Sequence, residues 1–233
     1  MKKKLTLYSE LCYVFGVILL ALGTACMERG DLGLSSVVAP AYLIHLKISQ
    51  YFEWFTFGRA EYLVQGLLLI LMCIIIRRFK LSFLFSFVTA LIYGTVLDLM
   101  MDFVALIPFY GIVGRLGFYI VGFFICLVAI SLLFHTYISP EVYELFVMQI
   151  ARRFKIRLGK VKIIFDYSTM ILSVILSFAF FGWWHFEGIK IGTVLCALVN
   201  GWLVFLFVKF IEDHFEIKDA LKLRHLFDLK EKD

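Results

Sequence analysis

Asp98 and Asp102 stand four residues apart in Gly94-Thr95-Val96-Leu97-Asp98-Leu99-Met100-Met101-Asp102, inside an apolar run that begins near Leu81. On a helix that spacing puts both carboxylates on one face. Acids in a segment that crosses lipid are costly, so the pair reads as a cation site, or as a proton site in which one carboxyl holds the proton. Two other readings stay open. Asp102 can lie solvated near the outer boundary of the membrane, and Asp98 can pair with Arg59 or Arg115 as a structural lock.

A near copy of the stretch follows about a hundred residues later, Gly192-Thr193-Val194-Leu195-Cys196-Ala197-Leu198-Val199-Asn200. Thr95 and Thr193 either face a ligand or bond back to the preceding helical turn. The glycines beside them serve close packing or local unwinding. Asn200 either donates to a substrate or bonds a neighbouring helix. Asp166 lies about one turn into its own apolar segment, and Gln65 occupies the matching point of an earlier one. A salt bridge from Asp166 back to Lys162 is the alternative to a binding role. The candidate substrate- or ion-binding set is therefore Asp98, Asp102, Asp166, Asn200, Thr95, Thr193 and Gln65.

Other chemistry is not expected. Cys12, Cys26, Cys73, Cys126 and Cys196 sit within or beside apolar segments without CxxC or Cys/His ligand spacing. There is no nucleophile elbow, HExxH or phosphate loop, so the reading is of no enzyme, no metal and no cofactor. Glu141 and Glu144 read as a solvated helix face, and His45, His135 and His185 as solvated interfacial residues.

The elements that must position these residues are membrane spans. Hydrophobic residues make up 62% of the chain and aromatics 18%, with 26 Phe, only 3 Pro and a mean hydropathy of +0.93. Such values exclude a soluble domain. The 233 residues hold six spans of about 20 residues each. They run over about Leu11–Met27, Ala60–Ile76, Leu81–Leu106, Gly117–Phe134, Val161–Phe181 and Ile189–Val208. The first is read as an uncleaved helix rather than a signal peptide. Pro108 and Gly111-Ile112-Val113-Gly114-Arg115 make a turn.

Two shorter segments are too short to span and read as interfacial or re-entrant helices. One ends at about Ser49. The other starts at Ser139-Pro140-Glu141, with Ser as N-cap and Pro at the first position, and continues to about Lys155. Trp183-Trp184-His185-Phe186 forms an interfacial belt. A weak amphipathic helix covers Ala220–Leu229.

The net charge of +5 belongs to topology rather than to nucleic acid, because the basic residues cluster beside the spans and no nucleic-acid motif surrounds them. With the N-terminus inside, only Arg29, Lys47, Arg59, Arg115 and Lys190 fall outside, and every other Lys and Arg falls inside. Both termini are then cytoplasmic.

The halves also match. Gly16 pairs with Gly122, Ser35 with Ser139, Gly58-Arg59 with Gly159-Lys160, and Gln65 with Asp166. Three crossings per half force the second half to enter from the opposite side, giving an all-α inverted repeat. Its parts are a first repeat over 1–110, a second over 111–210 and a charged cytoplasmic tail over 211–233.

Gly33-Leu34-Ser35-Ser36, Gly58-Arg59, Gly94 to Asp98, Ser139-Pro140-Glu141, Leu158-Gly159-Lys160 and Gly192-Thr193 through Asn200-Gly201 together resemble the bacterial YczE/YyaS/YitT group of integral membrane proteins. The likeness covers most of the chain to about Phe210. Where that group often has Trp-Asp or Tyr-Asp after the first short loop, this chain has Ser36-Val37-Val38. The resemblance implies a polytopic plasma-membrane protein with a transport or transport-accessory role, and names no substrate.

The leading expectation is a secondary transporter or permease for a small solute, working in the lipid bilayer. The alternative is a substrate-capturing or regulatory subunit, for example of an energy-coupling transporter, that docks through Ala21-Leu22-Gly23-Thr24-Ala25. A homodimer or accessory membrane subunits are the open protein partners, and a ligand-free structural protein is a third reading.

Overall fold

The computed structural model describes residues 5–183 and 189–221. It is a helical bundle with eight helices among the described residues: α1 (Ser9–Gly30), α2 (Ala39–Ile48), α3 (Phe57–Ile76), α4 (Ser82–Ala105), α5 (Gly111–Leu133), α6 (Val142–Phe154), α7 (Leu158–Phe181) and α8 (Ile191–His214). Six of them, all but α2 and α6, are long and apolar enough to cross a membrane, with window hydropathies of 1.8 to 2.6. The chain is a polytopic membrane protein. At about 1.5 Å per residue, α2 and α6 fall well short of a hydrocarbon core of about 30 Å.

Several boundaries differ from the sequence reading. The expected turn over Gly111–Arg115 is helical. Gly111, at φ 65, takes the bend and α5 starts there. α8 runs past the end of its apolar stretch to His214, carrying Lys209, Glu212 and Asp213 beyond the hydrophobic zone on a continuous helix. α6 begins two residues later than expected. Glu141, extended at ψ 162, is its N-cap, and Ser139 does not cap it. Two four-residue strands that hydropathy does not signal, β1 (Leu5–Tyr8) and β2 (Phe215–Lys218), pair in parallel with Leu5 opposite Phe215 and Tyr8 opposite Lys218. They tie the start of α1 to the end of α8, so both ends of the helical body lie on one face. Lys2–Lys4, Trp184-His185-Phe186 and the expected amphipathic helix from residue 222 onward lie outside the described residues.

α1 is the axis of the bundle, packed on α4 and antiparallel to α5. The α1–α5 crossing is close because it is built on glycine. A Cβ at Gly23 would sit 2.8 Å from the Gly122 carbonyl oxygen, and one at Gly122 would sit 2.6 Å from that of Gly23. Small-residue crossings of this kind replace the hydrophobic drive that helices lack in lipid. Ala21, Gly23, Thr24 and Ala25 are all buried, so the small-residue face read as a docking surface is covered within the chain.

The glycines of the repeated motif do the same work. A Cβ on Gly94 would reach 2.3 Å from the Tyr62 ring, and one on Gly192 would reach 2.5 Å from the Leu32 carbonyl oxygen. α4 continues through Gly94, and Gly192 lies in the first turn of α8, so both glycines serve close packing and not unwinding. Around this axis α3 packs on α4, α6 on α3, α4 and α7, α2 on α3 and α7, and α8 on α5 and α7. The outward faces of α3, α5 and α8 carry exposed Leu67, Ile74, Val113, Val121, Leu198 and Trp202, as lipid-facing surfaces do.

Candidate functional site

Besides Arg59 in its first turn and Tyr62, α3 carries two polar residues, Glu61 and Gln65, one turn apart on one face and both completely buried. That face meets the N-terminus of α6, where Glu141 is only 2% exposed. The Gln65 amide joins the two carboxylates. Its Nε2 donates to Glu61 Oε2 at 3.2 Å and to Glu141 Oε2 at 3.1 Å. Its Oε1 accepts from the Val142 backbone N–H at 3.1 Å. A backbone N–H can only donate, so this contact fixes which way the amide points. The Tyr143 hydroxyl adds a second donor to Glu61 Oε2 at 2.9 Å.

The other oxygen of each carboxylate, Oε1 of Glu61 and Oε1 of Glu141, is buried with no hydrogen-bond partner. Two ionised carboxylates held by three donors and no bonded cation would carry uncompensated charge, which costs several kcal/mol per ion in a protein interior. The arrangement is therefore stable with a proton or a cation on the pair. Glu141 points the same way: burial, with the nearby charges of Glu144 and Glu61, holds its carboxyl well above the usual range.

A small chamber of about 50 Å³ adjoins Glu141, lined also by Ser35 and Val38 at the start of α2, by Tyr93, and by Glu144 and Asn200. Both short helices thus direct their N-terminal ends, the positive ends of their dipoles, toward one interior space. Its volume suits a water-sized guest. Beyond Glu144, Lys162 and Asn200, which line both spaces, a cavity of about 410 Å³ opens between α5, α6, α7 and α8. It lies toward the end of the bundle where α7 begins and α8 ends, the face that carries the paired strands.

The sequence-derived candidates divide accordingly. Gln65 is at the centre of the cluster. Asn200 lines both spaces and is nearly buried. Asp166, also buried, pairs with Lys162 at 3.0 Å, the i, i+4 bridge that was its alternative reading. The other four lie elsewhere. Asp98 accepts from Thr56 Oγ1 at 2.7 Å and from the Gly58 backbone N–H at 2.8 Å, so it caps the start of α3. Neither arginine locks it, since Arg59 bonds the Trp54 carbonyl and Arg115 pairs with Asp31. Asp102 is exposed. Thr95 bonds the Leu91 carbonyl and the Tyr62 hydroxyl. Thr193 is buried in the first turn of α8, where it accepts from the Lys190 backbone N–H.

Glu61, Glu141 and Glu144 are what the sequence reading missed. Glu61 is an acid inside an apolar segment, the same signal that pointed to Asp98. Glu141 was hidden by its resemblance to an ordinary first-turn acid. It is not solvated, because the α6 N-terminus is inserted between α3 and α4 and faces inward. Among the described residues no group of three or more His, Cys, Asp or Glu is placed to hold a metal ion.

No curated protein and no solved structure matches the chain. A family of unknown function, DUF6198, matches residues 7–209. That span takes in α1 to α7, nearly all of α8 and the whole carboxylate cluster, and the chain belongs to this family.

Proposed function

We propose that the protein is a secondary transporter or permease of a small solute in the bacterial inner membrane, with both termini cytoplasmic, and that Glu61, Gln65 and Glu141 form its proton site. The observation that carries this is the pair of buried carboxylates sharing one amide, each with an oxygen left unpaired. A group that binds and releases a proton beside a solute pathway is what coupled transport needs. The wide cavity on the face of the chain ends, and the narrow chamber between it and the cluster, supply such a pathway.

The inverted repeat is part of the same proposal, with halves at 1–110 and 111–210. Exchanging α1 with α5, α2 with α6, α3 with α7 and α4 with α8 turns α1–α4 packing into α5–α8, α3–α4 into α7–α8, α2–α3 into α6–α7, and α3–α6 into α7–α2, all of which occur. Secondary transporters built this way hold their site between halves, at the ends of broken or short helices. The likeness to the YczE/YyaS/YitT group stands beside this as a separate proposal, resting on the motifs quoted above.

The test is reconstitution into liposomes containing a trapped pH-sensitive dye, screened against small solutes. Wild-type protein moves protons when its solute is added, and Glu141→Gln does not. Solute flux without proton movement, or equal coupling in the variant, contradicts the proton site. Proton flux only after an ATPase partner is added favours the partner-dependent subunit.

A further inference from the structure

The large cavity has apolar walls and one acidic end. Its body is lined by Phe134, Val147, Met148, Leu158, Val204 and Phe205. At the end nearest the chamber stand Glu144, Lys162 and Asn200. Lys162 already pairs with buried Asp166 at 3.0 Å, so its charge is matched. Glu144 has no ion pair or hydrogen bond to another described side chain; burial raises its carboxyl above the usual range, and nearby Lys162 partly offsets this. When Lys162, Asp166 and Glu144 are all ionised, the three groups sum to one unmatched negative charge, which a bound cation would match. The Asn200 amide, nearly buried, faces the same space.

We propose that this cavity binds a small lipophilic organic cation, an ammonium-type head on an apolar body, with Glu144 as its counter-ion. This names a substrate class for the transporter reading and rests on that reading only for the cation's being carried. The geometry selects against other occupants. An anion would meet Glu144, with the Lys162 charge that lines the cavity already paired to Asp166. A bare metal ion would find hydrocarbon walls in place of oxygen ligands. A lipid tail would fill the walls but leave Glu144 facing apolar atoms, which costs free energy that a cation removes. The volume, about 410 Å³, falls in the range of small-molecule sites.

The probe is radiolabelled benzyltrimethylammonium, measured by equilibrium dialysis against the protein in lipid nanodiscs, with empty nanodiscs as background. Neopentylbenzene, the uncharged carbon isostere, and benzylsulfonate, an anion, serve as competitors. Two variants are compared. Glu144→Gln removes the charge. Gly201→Phe fills the space, since Gly201 lines the cavity and a Cβ there meets no atom within 4 Å.

Saturable binding is expected, weakened about ten- to hundredfold by Glu144→Gln and abolished by Gly201→Phe, with both variants remaining helical and monodisperse. Three results would overturn the proposal: no saturable binding above empty nanodiscs, wild-type affinity in Glu144→Gln, or competition by neopentylbenzene as strong as by the cation. The last would identify a purely apolar, lipid-like occupant. Cation binding without solute-driven proton flux leaves the site standing and contradicts the transporter reading. Coupled flux of an uncharged solute without cation binding does the reverse.

Discussion

Glu61 on α3 and Glu141 at the start of α6 are held to one another through a single side chain, the Gln65 amide, whose Nε2 lies 3.2 Å from one carboxylate and 3.1 Å from the other. The bridge joins a spanning helix to a helix too short to span. Any change in the protonation of either acid alters the bonds that fix the α6 N-terminus against α3, and the small chamber is lined by that N-terminus.

The first prediction concerns pH. The folded-state pKa of Glu141 is raised above the ordinary carboxyl value of 4.5, mainly by burial. The folded protein therefore binds more protons than the unfolded chain between those two values, and stability falls as pH rises through that window. Thermal unfolding in detergent should show a lower Tm at pH 8 than at pH 5.5. Glu141→Gln should flatten this dependence and raise Tm at pH 8. A pH-independent wild-type Tm, or an unchanged slope in the variant, argues that Glu141 stays ionised.

Gln65→Leu tests the bridge itself. It strips a partner from Glu61, from Glu141 and from the Val142 N–H at once. Each buried group left unpaired costs about 1–3 kcal/mol, so a large drop in Tm is expected, read by differential scanning fluorimetry. Gln65→Glu should be tolerated better at low pH than at neutral pH, because it places a third carboxyl in the cluster.

The α1–α5 crossing makes a purely structural prediction. Gly23→Leu forces a side chain into the Gly122 backbone and the Cys126 sulfur. Overpacking of this kind costs about 1–3 kcal/mol, whereas Gly159→Ala, which meets nothing within 4 Å, should leave Tm unchanged. Equal stability of both variants would contradict a close glycine crossing between α1 and α5.

Asp98→Ala should behave as the loss of a helix cap. Thr56 and Gly58 lose their acceptor, for a cost of about 0.5–2 kcal/mol, and proton coupling in liposomes should persist. Coupling abolished in a variant of near wild-type stability would return Asp98 to the ion site.

The spans were legible because about twenty consecutive apolar residues have few fates other than a membrane helix, and short α2 and α6 stood out by their length and mixed polarity. Gln65, Asn200 and Asp166 were legible as polar residues in apolar segments. Asp98 fits the same pattern but sits beside the N-terminus of α3, where its carboxylate accepts from the Gly58 N–H and the Thr56 hydroxyl. Hydropathy cannot tell that use from a binding site. Glu141 was illegible for the opposite reason. Ser-Pro-Glu is the usual surface start of a helix, and only the packing of α6 against α3 and α4 turns it inward. The strand pair Leu5–Tyr8 and Phe215–Lys218 joins segments from opposite ends of the chain and leaves no periodic trace in either one.

The most direct test of the central claim is infrared spectroscopy of the purified protein at neutral pH, recorded for wild type and for the Glu61→Gln/Glu141→Gln double variant. The account predicts a carbonyl stretch from a protonated, buried carboxylic acid in the wild type that is missing from the double variant. A wild-type spectrum in which both glutamates absorb only as carboxylates, with no difference in the acid region between the two proteins, would contradict it.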